Sequence, residues 1–98
     1  MGVLCTKSKT MQGKKVLIAD DEPDILELLA YAMEKEGYEV ILAHDGEETI
    51  KKALKHLPDI ILLDVMMPKK DGIEVCRQLR TEKALEETII LILTARSE

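Results

Sequence analysis

The stretch DIILLDVMMPKKDG, residues 59–72, contains a clear strand pattern that is followed by an unexpected acid. It contains four consecutive apolar residues, at positions 60–63, and these are followed by an acid, Asp64. A short and uninterrupted apolar run predicts a strand that is buried on both faces, as in a parallel sheet. Because packing and capping explain an acid at the end of such a strand poorly, Asp64 is a candidate functional residue.

On both sides of this stretch the hydrophobic pattern alternates between strand and helix. Apolar runs rich in branched residues predict further strands at residues 15–20, 38–43 and 88–93. Between the strands, apolar residues recur three and four positions apart and predict three helices. Their apolar positions are, in chain order, Ile25, Leu28, Leu29, Ala32 and Met33; Ile50, Ala53, Leu54 and Leu57; and Val75, Cys76 and Leu79.

The residues at the predicted helix ends agree with this division. Pro23 can open the first helix, and Gly37 can end it. Asp45, with Glu48 three residues later, resembles a capping box at the start of the second helix, which Pro58 ends. The resulting order, β-α-β-α-β-α-β, predicts an α/β fold in which a parallel sheet is covered by helices on both faces.

Polar residues follow three of the four predicted strands. Asp20 and Asp21 close the first strand, Asp64 closes the third, and Thr94 follows the fourth. In open parallel sheets, ligands bind beyond the carboxyl ends of the strands, where the strand order reverses. We therefore expect these four residues to converge at one edge of the sheet.

Carboxylates that are brought together at such an edge repel one another unless a cation neutralises them. Magnesium is well suited, because it takes one or two carboxylates, waters and a phosphate oxygen rather than a complete protein cage. A carboxylate in this setting can also attack phosphorus and form an aspartyl phosphate. The hydroxyl of Thr94 could then donate a hydrogen bond to a phosphoryl oxygen.

Length, charge and composition limit the class of protein. Ninety-eight residues make one small domain, and a net charge of −5 argues against a nucleic-acid surface. Two cysteines without metal-ligand spacing indicate a reducing compartment, and no apolar run approaches the roughly 18 residues of a membrane span. We expect a cytoplasmic domain over residues 14–98, preceded by a tail at residues 1–13 that is disordered or was introduced by cloning.

Three blocks, VLIADDEPD, LLDVMMPKKDG and ILTA, in this order and spacing, resemble the receiver domain of two-component response regulators. The resemblance covers residues 15–96 and implies a flavodoxin-like (βα)5 sandwich. It implies that Asp64 accepts a phosphoryl group from a sensor histidine kinase or a phosphotransfer protein. It further implies that Asp20, Asp21, Asp64 and the backbone carbonyl of Met66 bind Mg²⁺, and that Thr94 is the switch hydroxyl.

The chain departs from the family pattern at its carboxyl end. It stops at Glu98, so the last helices, the fifth strand and the family's active-site lysine are missing; Lys69 and Lys70 lie in the wrong loop. We therefore expect an incomplete receiver domain, with an output domain beyond residue 98. The five apolar residues at positions 89–93 would form an exposed edge strand, which predicts self-association.

Two alternatives to a phosphoacceptor remain open at this point. A magnesium-dependent phosphohydrolase with an aspartyl nucleophile usually needs a second acid two residues after that nucleophile, where this chain has Met66. Because the family's lysine is missing, the other alternative is a receiver-like module that binds metal or protein and is never phosphorylated, with the acids as a relic site or a simple metal site. Taken singly, Asp20 and Asp21 could be residues of a helix start, and Thr94 the end of a strand. In neither the phosphoacceptor nor the binding-module interpretation does the chain turn over an external substrate, so we do not expect an enzyme.

Overall fold

The structure is a computed structural model, and it describes residues 14–64 and 72–93. In this part of the chain, four strands alternate with three α-helices, as predicted. The elements are β1 (Lys15–Ala19), α1 (Pro23–Lys35), β2 (Glu39–Ala43), α2 (Gly46–His56), β3 (Ile60–Asp64), α3 (Gly72–Arg80), a 3₁₀ turn (Lys83–Leu85) and β4 (Ile89–Leu93).

The four strands form one parallel sheet in the order β2-β1-β3-β4. Because β1 pairs with β2 on one side and with β3 on the other, the chain reverses its direction of travel across the sheet at β1. The quoted stretch forms β3, which lies between β1 and β4 and is buried from Ile61 to Asp64. The prediction of a flavodoxin-like α/β sandwich is confirmed.

Alternate residues of the strands pack against opposite layers of helix. Leu17, Ile61 and Leu63 belong to the larger core cluster, to which α2, α3 and the 3₁₀ turn also contribute. Val16, Ile18 and Leu62 belong to a second cluster on the other face, together with Leu26 of α1. In the described ranges, the sheet therefore lies between two α-helices on one face and a single α-helix on the other.

Helix α1 buries a different face from the one that the sequence predicted. Leu26, absent from the predicted stripe, is only 2% exposed, whereas Leu28 is 68% exposed and Ala32 is exposed as well. Leu29 and Met33 pack against the second cluster as expected. The apolar residues of α1 spread over more of the helix surface than β1 and β2 cover, so some of them remain exposed to solvent.

Helix α2 begins and ends with local hydrogen bonds that its sequence encodes. The carboxylate of Asp45 accepts from the backbone N–H of Glu48 at 2.9 Å, which confirms the predicted N-cap. At the other end, Leu57 adopts the left-handed conformation, with φ 49°, and its N–H donates to the carbonyl of Ala53 at 2.9 Å. A helical conformation is disfavoured before a proline, so Pro58 fixes this end of the helix.

Asp59 ties three strands together at the amino edge of the sheet. Its N–H donates to the carbonyl of Lys15, and its carboxylate accepts from the N–H of the same residue, both at 2.9 Å. Its carbonyl accepts from the N–H of Ile89 at 3.0 Å, and the hydroxyl of Thr88 donates to the carbonyl of Pro58 at 2.9 Å. These bonds fix the register of β1, β3 and β4 at the edge opposite to the acids.

Candidate functional site

The acidic residues singled out in the sequence meet at the carboxyl edge of the sheet. Strand β1 ends at Ala19, so Asp20 and Asp21 emerge there, and the neighbouring strand β3 ends on Asp64 itself. One carboxylate oxygen from each of Asp20, Asp21 and Asp64 lies within 4.8 Å of the other two. The predicted convergence of these three residues is what the structure shows.

The three carboxylates differ in their exposure. Asp20 is 3% exposed and Asp64 is 2% exposed, whereas Asp21 is open to solvent. At this separation, two ionised carboxylates repel each other by on the order of 3 kcal/mol at an effective dielectric constant of about 20. Three hard oxygen donors, with two of them buried and one facing water, fit a hard divalent cation that keeps part of its hydration shell.

Backbone hydrogen bonds hold Asp20 in place from two directions. Its N–H donates to the carbonyl of Ala43 at 3.2 Å, which extends the β1–β2 ladder by one rung. Its carboxylate oxygen Oδ1 accepts from the N–H of Glu22 at 3.0 Å, at the turn into α1. Asp20 therefore combines the geometry of a helix start with a place in the acid cluster, and the two interpretations of this residue are compatible.

Asp21 is less well explained as a residue of the helix start. The N-cap of α1 is Glu22, which makes no capping bond with its side chain, and the acid of the first turn is Asp24. Pro23 occupies the start of the helix, where its missing N–H costs nothing. Asp21 lies before all of these residues and beside the carboxylates of Asp20 and Asp64, which favours its assignment to the acid cluster.

A second polar cluster lies at the carboxyl end of β2, and the sequence revealed only part of it. The carboxylate of Glu48 accepts from the backbone N–H of His44 at 2.8 Å, rather than from the N–H of the N-cap residue as in a capping box. It also lies 3.2 Å from Nδ1 of His44 and 2.9 Å from Nζ of Lys52. The spacing of four residues from His44 to Glu48 and from Glu48 to Lys52 could have indicated this cluster.

These contacts stabilise the ionised form of Glu48. The hydrogen bond from the backbone of His44 is the largest cause, followed by the contact with Lys52, and together they lower the pKa of Glu48 from 4.5 to about 2. The carboxylate is therefore charged throughout the physiological range of pH, and it is a permanent acceptor at the start of α2.

Two residues that the sequence assigned to the site, Met66 and Thr94, lie outside the described residues. The carbonyl of Met66 as a metal ligand and the hydroxyl of Thr94 as a phosphoryl donor thus stay predictions. Among residues 14–64 and 72–93, no helix is long and apolar enough to cross a bilayer.

Comparison with known proteins agrees with this arrangement. Residues 16–98 match the family of the response regulator receiver domain. Over 86 residues, the chain is 56% identical to PhoP, the alkaline phosphatase synthesis transcriptional regulatory protein of Bacillus subtilis (strain 168); the match covers 88% of the chain and 35% of PhoP. The chain thus spans about a third of the length of this curated relative.

Solved structures share the fold as well. The chemotaxis response regulator CheY4 of Vibrio cholerae is similar with a TM-score of 0.83 and 36% identity, over 89% of this chain and 72% of CheY4. The receiver domain of the sensor histidine kinase PA1611 from Pseudomonas aeruginosa PAO1, solved with a magnesium ion coordinated in its active site cleft, is similar with a TM-score of 0.81 and 28% identity, over 86% and 69% of the two chains.

The matched residues include Asp20, Asp21 and Asp64, and the sheet order places these acids where the ligands of such folds bind. The resemblance seen in three short sequence blocks is thereby confirmed over most of the chain. This chain belongs to the response regulator receiver domain family, and its role is that of a phosphoacceptor signalling module in two-component systems.

Proposed function

We propose that Asp64 is the phosphoacceptor and that Asp20 and Asp21 hold a magnesium ion beside it. The observation that carries this proposal is the approach of the three carboxylates to within 4.8 Å at the carboxyl edge of β1 and β3. Asp64 is the member of the cluster that ends a strand, and within the sheet it pairs with Leu93 of β4. The carbonyl of Met66 and the hydroxyl of Thr94 complete the proposed site.

The proposed reaction moves a phosphoryl group from a phosphohistidine to Asp64. A carboxylate oxygen of Asp64 attacks phosphorus, the new P–O bond forms, and the P–N bond to the donor histidine breaks as that imidazole leaves. The product is an acyl phosphate on this chain. Because the domain modifies itself and returns no product to solution in this step, we propose that it turns over no external substrate.

Magnesium fits the residues that the structure brings together. When it is bound, the ion supplies positive charge that offsets the repulsion between three carboxylates and an incoming phosphoryl group. Asp21 faces solvent and would bind the hydrated ion from outside, while the buried Asp20 and Asp64 would bind it from the protein side. The magnesium ion in the similar PA1611 receiver domain supports this part of the proposal.

We propose a sensor histidine kinase or a phosphotransfer protein as the donor, in the cytoplasm. Because PhoP is named as a transcriptional regulatory protein and is about three times as long as the matched segment, we further propose that this domain acts on an output domain outside the 98 residues. The net charge of −5 favours an output that is reached through protein contacts rather than through nucleic acid bound to this domain.

The proposal is tested by intact mass after incubation with acetyl phosphate, with and without Mg²⁺. We expect one added phosphoryl group that requires Mg²⁺, is removed by hydroxylamine as an acyl phosphate, and is absent from Asp64→Asn. The matched control is Asp24→Asn, which removes an exposed acid of the first turn of α1 and should be phosphorylated normally. A folded chain that gains no phosphoryl group would contradict the proposal and favour a module that only binds.

A further inference from the structure

The three side chains of the second polar cluster connect α2 to the last residues of β2. We call His44, Glu48 and Lys52 the β2–α2 clasp. Glu48 accepts from the backbone N–H of His44 at 2.8 Å and pairs with Lys52 at 2.9 Å. Lys52 then reaches back ten residues and donates to the backbone carbonyl of Leu42 at 2.7 Å. The clasp is therefore fixed to the sheet backbone at two points.

Those two points lie on either side of Ala43. Lys52 holds residue 42 through its carbonyl, and Glu48 holds residue 44 through its N–H. Ala43 is fully buried, and its carbonyl accepts the hydrogen bond from the N–H of Asp20. The clasp thus holds the peptide groups before and after Ala43, and the second of these contains the carbonyl that accepts from the N–H of Asp20.

Helix capping does not account for the clasp. The carboxylate of Asp45 already caps α2 through the N–H of Glu48, and the hydroxyl of Thr49 donates to the carbonyl of Asp45 at 2.7 Å. The side chains of Glu48 and Lys52 instead bind groups that precede the helix. Within the described sheet, β2 pairs with β1 alone, so its outer side depends on such side-chain contacts for order.

We propose that Glu48 and Lys52 are positioning residues that set the place of Asp20 in the acid cluster by holding the end of β2. The inference rests on the proposed function, in which Asp20 binds a cation. A shift of the Ala43 carbonyl would move the N–H of Asp20, which donates to it. The carboxylate of Asp20 would move with its backbone, away from its place beside the carboxylates of Asp21 and Asp64. Replacing residues that do not touch a metal ion but orient its ligands typically weakens metal binding.

The test compares clasp variants with neighbours on the same helix turns. Glu48→Ala and Lys52→Met remove the clasp, whereas Glu47→Ala and Lys51→Met alter exposed residues one position away. The readouts are the Mg²⁺ dissociation constant from an NMR titration and the hydrogen-exchange rate of the Asp20 amide relative to amides in β3. We expect the clasp variants to bind Mg²⁺ about three to ten times more weakly, with selectively faster exchange at Asp20. Lys52→Arg keeps a donor for both partners and should restore the affinity.

Each result has a definite meaning for the two proposals. If the unaltered chain binds no Mg²⁺, the proposed function is overturned together with the clasp. If it binds Mg²⁺ and the clasp variants match their neighbours, only the clasp is overturned. Uniformly faster exchange at all amides with unchanged Mg²⁺ affinity would also overturn it, because that result describes general stabilisation. Lys52→Met leaves the start of α2 intact, so it decides the question even if Glu48→Ala does not fold.

Discussion

At the scale of the residue, the most unusual feature is a nearly buried acid beside two others. Asp64 is 2% exposed, and one of its carboxylate oxygens lies within 4.8 Å of a carboxylate oxygen of Asp20 and of one of Asp21. Buried charges normally destabilise a fold unless they are paired. Ionised carboxylates this close repel one another, and a bound cation would offset that repulsion.

Replacing Asp64 should reveal this repulsion as a gain in stability. Asp64→Asn keeps the shape of the side chain and removes one charge, so we expect the free energy of unfolding to rise by about 1 to 3 kcal/mol in the presence of a chelator. The gain should shrink in millimolar Mg²⁺, because the cation then neutralises the unaltered site. Urea unfolding at pH 7 measures both values, with Asp24→Asn as the control. A loss of stability in the chelator would contradict the prediction.

Asp21 should matter for the ion more than for the fold. It is exposed, so Asp21→Asn should change the free energy of unfolding by less than about 0.5 kcal/mol without metal. The same change removes one of the three carboxylates of the proposed magnesium site and should weaken Mg²⁺ binding about tenfold or more. Titration followed by NMR gives the affinity. An affinity equal to that of the unaltered chain would remove Asp21 from the site.

At the scale of the element, α1 and α2 show what sequence patterns can and cannot decide. The existence of both helices and the caps at Asp45 and Pro58 followed from local rules that involve neighbouring residues only. The buried face of α1 did not, because several adjacent positions are apolar and only the packing of the helix on the sheet distinguishes the buried Leu26 from the exposed Leu28. The side-chain contacts of Glu48 likewise could not be predicted, because they depend on the path of the chain between β2 and α2.

The charge of Glu48 should make the start of α2 sensitive to acid. Its pKa is lowered in the folded chain, so its contribution is complete above the unfolded value of 4.5 and is lost as the pH falls through about 2. Because the side chain is 32% exposed, we expect a contribution of only about 1 kcal/mol. Glu48→Gln should thus lower the free energy of unfolding at pH 7 by this amount, and the difference should vanish towards pH 2.

Urea unfolding at a series of pH values measures this difference directly. The exposed neighbour Glu47 provides the control, because Glu47→Gln should leave the free energy of unfolding within about 0.5 kcal/mol at each pH. A difference between Glu48→Gln and the unaltered chain that stayed constant down to pH 2 would show that charge is not the cause.

At the scale of the whole molecule, the two faces of the sheet are covered unequally. Among residues 14–64 and 72–93, α2 and α3 pack on one face, whereas the other face has one helix, which lies over β1 and β2. As a result, Ile89 and Leu91 of β4 are 55% and 49% exposed. In the described part of the chain, β4 pairs with β3 only, so its outer edge adds backbone groups outside the ladder to the apolar side chains exposed on one face.

We predict that the 98-residue chain on its own associates through this strand. Unpaired apolar edge strands are sites of association, and charged residues suppress it. Light scattering at concentrations on the order of 100 µM should show species larger than a monomer, and the double variant Ile89→Lys, Leu91→Lys should be monomeric. Leu54→Lys, at an exposed apolar position of α2, is the control and should still associate. A monomeric unaltered chain would contradict the prediction.

The sequence predicted the architecture and the acid cluster because both follow from the order of the elements. Once strands and helices alternate, crossover geometry brings the residues after β1 and β3 to one edge, and no side-chain detail is needed. The β2–α2 clasp and the exposure of Leu28 could not be predicted in this way, because both depend on the distances between elements. Those distances depend on packing, which the pattern of a single chain does not contain.

The bonds of Asp59 at the opposite edge have a consequence for mutational tolerance. All but one of them use backbone atoms, so most substitutions of the residues that Asp59 contacts leave the bonds in place. The acid edge depends instead on the identity of three side chains. In a library of random variants selected for phosphorylation, we therefore expect substitutions to be tolerated at Lys15 and Ile89 and to be eliminated at Asp20 and Asp64, so that one sheet has a permissive end and a restrictive end.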